Sequence, residues 1–311
     1  FKQKTAYEIR LSLVGSEMCI RDRLSELPPE NILCEPSRKN TAPCIAYISY
    51  KLMQKNPEAN LICAPADHII LDPEGFKDIC LRALEFTLNI KGLVTLGIKP
   101  THANTGYGYI QYDQQPVSNN VFKVKTFTEK PDKDLARTFL LSGDFLWNAG
   151  IFVWQVKNII QAFEKFLPEM HDVFDTEKDA FNSNNEKEAI DRIYPQCTNI
   201  SIDYGVMEKA DNVFIIPSSF GWSDLGTWAS AYENLEKDYL ENAVAGDNVM
   251  IIDATKNMVH AENKKLVLIQ GLDDFIVVDT KDVLLICRKD KEQAIKEYVA
   301  EVKRNKGDRF L

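Results

Sequence analysis

The seven cysteines include no CxxC pair, and the four histidines lie far apart in the chain. That spacing argues against a disulfide framework or a structural zinc site and suits reduced thiols in a cytosolic protein. An excess of basic residues is missing as well. The formal charge is −9 and the pI near 5.1, which argues against a nucleic-acid binder, because such proteins present a basic face. No apolar run approaches the roughly 20 residues of a membrane span. The first residues make no signal peptide, since Glu17 and Arg21 interrupt any apolar core. What remains reads as a soluble cytoplasmic globular chain. Its 311 residues suffice for two domains or one large one.

What is present is organised around Leu61–Ile70. Leu61, Ile62, Cys63 and Ala64 form a short apolar run that predicts a buried parallel strand; Pro65 breaks it and delivers Asp67 and His68 past the strand end. Ligands of open α/β sheets sit beyond the carboxyl ends of strands, where a carboxylate can hold a divalent cation through oxygen. A local turn or cap is the competing role for Asp67.

Upstream, residues 1–23 show no clear period and read as a non-native leader. Asn31–Cys34 predicts a short strand. Asn40 or Thr41 can cap a following helix that carries Ile45, Ile48 and Leu52 on one face. Such a helix start is a natural anion or base site, to which Arg38 adds charge; an ordinary capped loop is the alternative. A helix near 76–88 and a strand at Leu93–Ile98 complete a strand–helix–strand pattern of the parallel type. Gly106 and Gly108 then leave backbone bare for a flat ligand, or simply form a turn.

Val121–Pro131 alternates like a strand and ends in Glu129-Lys130-Pro131, a pair that can bind a sugar hydroxyl and a phosphate or remain a solvated charge pair. A helix is expected at 134–141, stopped by Gly143. Trp147–Trp154 is read as sending Asn148 and Gly150 into a loop before another apolar strand. Residues 156–193 are charged and helical, broken at Pro168. Asp203 and Glu208 flank a short helix start, and Val213–Ile216 is a buried-type strand. Asp224 stands where a helix begins, so an N-cap is its local role. Beyond about Glu233 short β-type runs dominate, at 249–252, 258–260, 266–269, 275–278 and 283–287. A terminal helix follows at 291–303, and no internal repeat stands out.

Taken in order, Glu35–Pro43, Leu61–Ile70, Thr105–Ile110, Phe127–Pro131, Leu146–Trp154, Ser201–Lys209 and Phe220–Trp228 resemble the mannose-1-phosphate guanylyltransferases. These belong to the sugar-1-phosphate nucleotidyltransferase superfamily. The resemblance spans Leu24 to the end, and each motif alone is weak. It implies an α/β fold: a Rossmann-like mixed, mostly parallel sheet flanked by helices, of the nucleotide-diphospho-sugar transferase type. That domain would run from 24 to 235, with a small β-rich domain over 236–311.

By the same resemblance, Asp67 and Asp224 would hold a catalytic Mg²⁺. Gly108, Glu129, Asn148 and Asp203 would line the mannose side, Lys130 would meet the sugar phosphate, and Arg38, Asn40 and Thr41 would lie towards guanine and ribose. GTP and mannose-1-phosphate are the implied partners, with no nucleic acid and no membrane; a homo-oligomer is compatible with the sequence. The family's opening glycine-rich loop with its arginine has no counterpart here, where Gly15 stands alone. The chain is therefore expected to be an impaired fragment of the enzyme. A non-catalytic nucleotide-sugar-binding regulatory subunit, or a transferase for another sugar-1-phosphate, are the competing readings.

Overall fold

A computed structural model describes Pro28, residues 31–224, 227–261 and 265–307, and Arg309. The leader expected at 1–23 lies outside the described residues. Two compact units divide the chain, one ending at Trp222 and one beginning at Ser223.

The first unit begins with helix α1 (Thr41–Lys55). Asn40 caps it by accepting from Thr41 N at 3.0 Å, and the helix buries Ala42, Ile45, Ala46, Tyr47 and Tyr50. No strand forms at Asn31–Cys34, which has no ladder partner among the described residues. β1 (Asn60–Cys63), β2 (Ile69–Ile70), α2 (Pro73–Asn89) and β3 (Leu93–Ile98) follow, then β4 (Tyr109–Ser118), β5 (Val121–Thr128) and α3 (Lys133–Ser142). β6 (Phe145–Gln155) leads into α4 (Val156–Phe166), α5 (Pro168–Thr176) and α6 (Glu186–Ile193), and β7 (Val213–Ser218) and β8 (Trp222–Ser223) close the run. Pro168 opens α5 at its first turn, where a missing N–H costs nothing.

The central sheet has six strands in the order β1-β6-β3-β7-β5-β4 and is mixed, with helices on it. Among the described pairs only β3 and β7 run parallel; the other neighbours are antiparallel. The departure from a mostly parallel sheet has one main cause. β1, α2 and β3 do form a crossover, but β6 inserts antiparallel between the two strands. It is apolar on both faces along most of its length, and Leu146, Trp147, Ile151, Phe152, Val153 and Trp154 are buried. β1 pairs only with β6 among the described residues and is half-buried, with Ile62 40% exposed; it is not the fully buried strand its letters predict. One large apolar cluster packs α1, α4, α5 and α6 on one face, and α2 with Val94, Leu96, Ile151 and Ile216 forms a second on the other.

The second unit starts with α7 (Trp228–Asn234), whose Trp228, Ala231 and Tyr232 cover Ala243, Met258, Ile276 and Val278. Strands β9 (Ala243–Ala245), β11 (Met258–Ala261) and β13 (Phe275–Asp279) stack in parallel, closed by antiparallel β14 (Leu284–Arg288); β10 (Val249–Ile252) pairs in parallel with β12 (Val267–Gln270). The β-rich expectation holds, but the strands form a parallel coil. Inside it Asn242 and Asn257 are 1% and 0% exposed. Asn242 Oδ1 accepts from Asn257 N and Nδ2, both at 3.0 Å, and Asn257 Oδ1 accepts from Phe275 N at 2.9 Å. Each asparagine thus ties one coil to the next. The terminal helix is α8 (Ile295–Lys306), preceded by a 3₁₀ segment at Lys289–Ala294.

Candidate active site

The polar cluster of the first unit gathers where β5 ends, β6 bulges and a π-helical segment at Asp203–Met207 begins. Asn148 does not lie in a loop: it is inside β6, and so is Gly150. The register against β3 jumps between Thr95 and Gly97, where Thr95 faces Phe152 and Gly97 faces Asn148. Gly150 takes φ +67 in this bulge, a backbone region open mainly to glycine. Bulging lets Asn148 Oδ1 accept from Gly150 N at 3.1 Å, while Asn148 Nδ2 donates to Asp203 Oδ1 at 2.8 Å.

Glu129 follows β5 with a side chain only 9% exposed. Its Oε1 accepts from Lys130 Nζ at 2.7 Å, but Oε2 is buried with no hydrogen-bond partner. A buried carboxylate oxygen left without a donor is costly, so a ligand donor is the natural complement. Gly108 sits against it: a Cβ there would fall 2.3 Å from Glu129 Oε2 and 3.3 Å from Asn148 Cβ. Here the bare backbone permits a close approach, and Asn148 N donates to Gly108 O at 2.8 Å. Glu208 Oε1 accepts from Glu129 N at 3.0 Å.

Electrostatics follow from this crowding. Burial and the neighbouring Glu129 charge push the Asp203 carboxyl up to about 6, against the lowering effect of its backbone and Asn148 hydrogen bonds. Burial pulls the Lys130 ammonium down, yet the hydrogen bond and charge of Glu129 outweigh it and hold the group above its ordinary value. Lys130 therefore stays charged beside Asp203 and Glu129 and can meet an anion.

Thr41 Oγ1 accepts from Ile202 N at 2.9 Å, and Ala42 N donates to Ile200 O at 3.1 Å. The start of α1 is thereby fastened to the segment that ends in Asp203. Thr41 has that tying role while Asn40 caps the helix, and Arg38 is exposed on the preceding segment. Asp67, half-buried, follows Pro65 beyond β1. His68 Nδ1 accepts from Trp222 Nε1 at 3.0 Å, and Leu71 N reaches Phe220 O and Gly221 O. Pro65 and His68 both stand beside Gly150, which brings the Asp67 turn alongside the Asn148 bulge. Asp224 is half-buried just past β8, in the second unit. The N-cap role falls instead to Thr227, whose Oγ1 accepts from Ser230 N at 3.1 Å while Ser230 Oγ accepts from Thr227 N at 3.2 Å.

Thus Gly108, Glu129, Lys130, Asn148 and Asp203 come together as one cluster, with the Asp67 turn alongside it. Sequence reasoning missed Thr95, a fully buried residue whose hydroxyl donates to Asn148 Oδ1 at 3.1 Å. A polar residue inside the apolar run Leu93–Ile98 was the available signal.

Among the described residues no three His, Cys, Asp or Glu side chains are arranged to hold a metal ion. No helix there is long and apolar enough to cross a membrane.

The Nucleotidyl transferase family model matches residues 17–241, and a MannoseP isomerase/GMP-like beta-helix domain matches 247–302. The mannose-1-phosphate guanylyltransferase RfbM of Salmonella typhimurium is 34% identical over 96% of this chain and 61% of its own length. The alginate biosynthesis protein AlgA of Pseudomonas syringae pv. tomato is 35% identical over 88% of this chain and 56% of its own. The chain thus spans about 56–61% of these curated relatives. A solved mannose-1-phosphate geranyltransferase from Thermus thermophilus superposes with a TM-score of 0.74 at 27% identity, covering 87% of this chain and 77% of that one. With its mixed sheet, its carboxylate-lined cluster and a family match across most of its length, the chain belongs to the nucleotidyl transferase family.

Proposed function

We propose that the protein transfers GMP from GTP to mannose-1-phosphate, giving GDP-mannose and pyrophosphate. The observation that carries this reading is the unpartnered Glu129 Oε2, buried against the bare backbone of Gly108 and beside the Lys130 ammonium. A sugar hydroxyl supplies the missing donor and the sugar phosphate meets the cation. The names of the relatives point to the same sugar phosphate.

In the reaction an oxygen of mannose-1-phosphate attacks the α-phosphorus of GTP in line, and the bond to pyrophosphate breaks. Both reactants are anions, so positioning and charge neutralisation dominate. Glu129 accepts from the sugar, Asp203 and Asn148 fix its orientation beside Gly108, and Lys130 neutralises the sugar phosphate. Arg38, Asn40 and Thr41 face guanine and ribose at the start of α1.

Asp67 and Asp224 would hold the metal. Each is a half-buried carboxylate, and carboxylate oxygen is a hard donor. It suits Mg²⁺, which completes its shell from phosphates and water. When bound, the ion would withdraw charge from the phosphates.

Pyrophosphate release from GTP and mannose-1-phosphate, with and without Mg²⁺, tests the proposal. Metal-dependent release that needs both substrates is expected, at the lowered rate of an impaired enzyme. GDP-mannose binding without turnover in either direction would make the protein a regulatory subunit instead, and turnover with a different sugar phosphate alone would reassign the substrate.

A further inference from the structure

We infer that Thr95 is a positioning residue for the sugar-phosphate subsite, acting by holding in place the Asn148 amide whose NH₂ is turned to Asp203. This rests on the functional reading above and deepens it.

An asparagine amide has two nearly isosteric ends, an acceptor oxygen and a double donor, and only its partners decide which way it faces. At Asn148 the partners are unequal. Gly150 N–H can only donate, and it points at the atom 3.1 Å away, which must therefore be Oδ1. Thr95 Oγ1 approaches the same oxygen at 3.1 Å and also lies 3.3 Å from Ile151 O, so its single proton is shared between two acceptors. Gly150 N–H leaves Nδ2 for Asp203 Oδ1 at 2.8 Å, and the Thr95 hydroxyl steadies Oδ1 from a second side. Were the amide reversed, Oδ1 would face a carboxylate oxygen, and Nδ2 would face the Gly150 N–H.

Position and burial support a dedicated role. Thr95 is 0% exposed in a strand otherwise built from Leu93, Val94, Leu96, Gly97 and Ile98. A valine of nearly the same shape would satisfy the packing without a hydroxyl to place. The register jump between Thr95 and Gly97 occurs where β6 carries Asn148 and Gly150, so the hydroxyl stands at the bulge itself. Through Asn148, Thr95 governs how Asp203 is held, and Asn148 N also secures Gly108. The residue touches no substrate.

The test uses the whole protein. Wild type, Thr95→Val and Thr95→Ser are compared in pyrophosphate release, with KM measured separately for each substrate, and mannose-1-phosphate binding is followed by calorimetry. Thr95→Val should raise KM and Kd for mannose-1-phosphate about tenfold, with KM for GTP changed less than about twofold. Thr95→Ser, which keeps the hydroxyl, should restore wild-type values. Thr95→Cys is a weaker donor of similar size; it should give an intermediate rise and serves if the valine variant does not fold.

Equal effects on both substrates, or sugar-phosphate constants unchanged in Thr95→Val or Thr95→Cys, would overturn the inference alone. Wild type that neither binds nor turns over mannose-1-phosphate would remove the functional reading, and this inference with it.

Discussion

Two buried polar networks, one in each unit, serve opposite ends. In the second unit, Asn242 and Asn257 sit in the coil with both ends of each amide engaged: Nδ2 of Asn242 reaches Ala254 O at 2.8 Å, and Nδ2 of Asn257 also reaches Leu272 O at 2.9 Å. In the first unit, Glu129 keeps an empty acceptor and Asp203 is held beside another carboxylate. A fully satisfied buried network rigidifies its surroundings, whereas a partly satisfied one costs stability until a ligand completes it. In these two networks buried polarity is therefore not one signal but two, separated by whether every donor and acceptor is used.

That contrast predicts opposite outcomes for a carboxylate at the site and an asparagine in the coil. Asp67→Asn should reduce turnover about a thousandfold, since a neutral amide replaces the carboxylate proposed to bind metal, while thermal stability stays near wild type; pyrophosphate release and a melting curve read both. Asn257→Ala should do the reverse. It strips partners from Asn242, Leu272 O and Phe275 N at once, so a loss of about 2–4 kcal/mol in denaturant unfolding of the coil is expected. Turnover per folded molecule should hold. An Asn257→Ala protein that lost activity without losing stability would erase the distinction.

Asp203 supplies a pH test. Its carboxyl is raised to about 6 in the fold, against about 3.9 unfolded, so the native state binds the proton more tightly. Stability is then greater at low pH and falls as pH rises from about 4 through 6. Relative to wild type, Asp203→Asn should gain stability across that window, by no more than about 3 kcal/mol. A difference that does not change between about pH 4.5 and 7.5 would contradict the assignment.

Glu186 is the matched control, a satisfied carboxylate in the first unit. Burial acts to raise it, but Lys51, the Tyr47 hydroxyl and Asn182 N all donate to it and hold it below its ordinary value. Its contribution is present above the unfolded pKa and is lost as pH falls through the lowered folded one. Glu186→Gln should cost about 1–2 kcal/mol at pH 7, the smallest effect here, with kcat and KM unchanged.

Much of this was legible in the letters. Local chemistry announced the helix starting after Asn40, the strand Leu93–Ile98 and the Glu129-Lys130 pair at the end of β5. What escaped depended on tertiary partners. Asn148 and Gly150 read as a loop because asparagine and glycine punctuate turns, yet flanking apolar residues keep β6 in the sheet and the glycine makes a bulge. The parallel coil left no visible repeat because Met258 pairs with Ala243 on one side and Ile276 on the other, so successive coils differ in length. Asp224 looked like a cap because the cap itself, Thr227, lies only a few residues further on. Thr95 showed only as a polar letter in an apolar run, and its meaning lay across the sheet in Asn148.

The most direct measurement is mannose-1-phosphate binding to wild type and Glu129→Gln by calorimetry, paired with their melting temperatures. The expected result is at least a roughly tenfold weaker Kd in the variant with a melting temperature near wild type, since relief of the charge repulsion with Asp203 offsets the weakened contact to Lys130. Unchanged binding, or a melting temperature lower by several degrees, would show that Glu129 serves the fold and not a sugar.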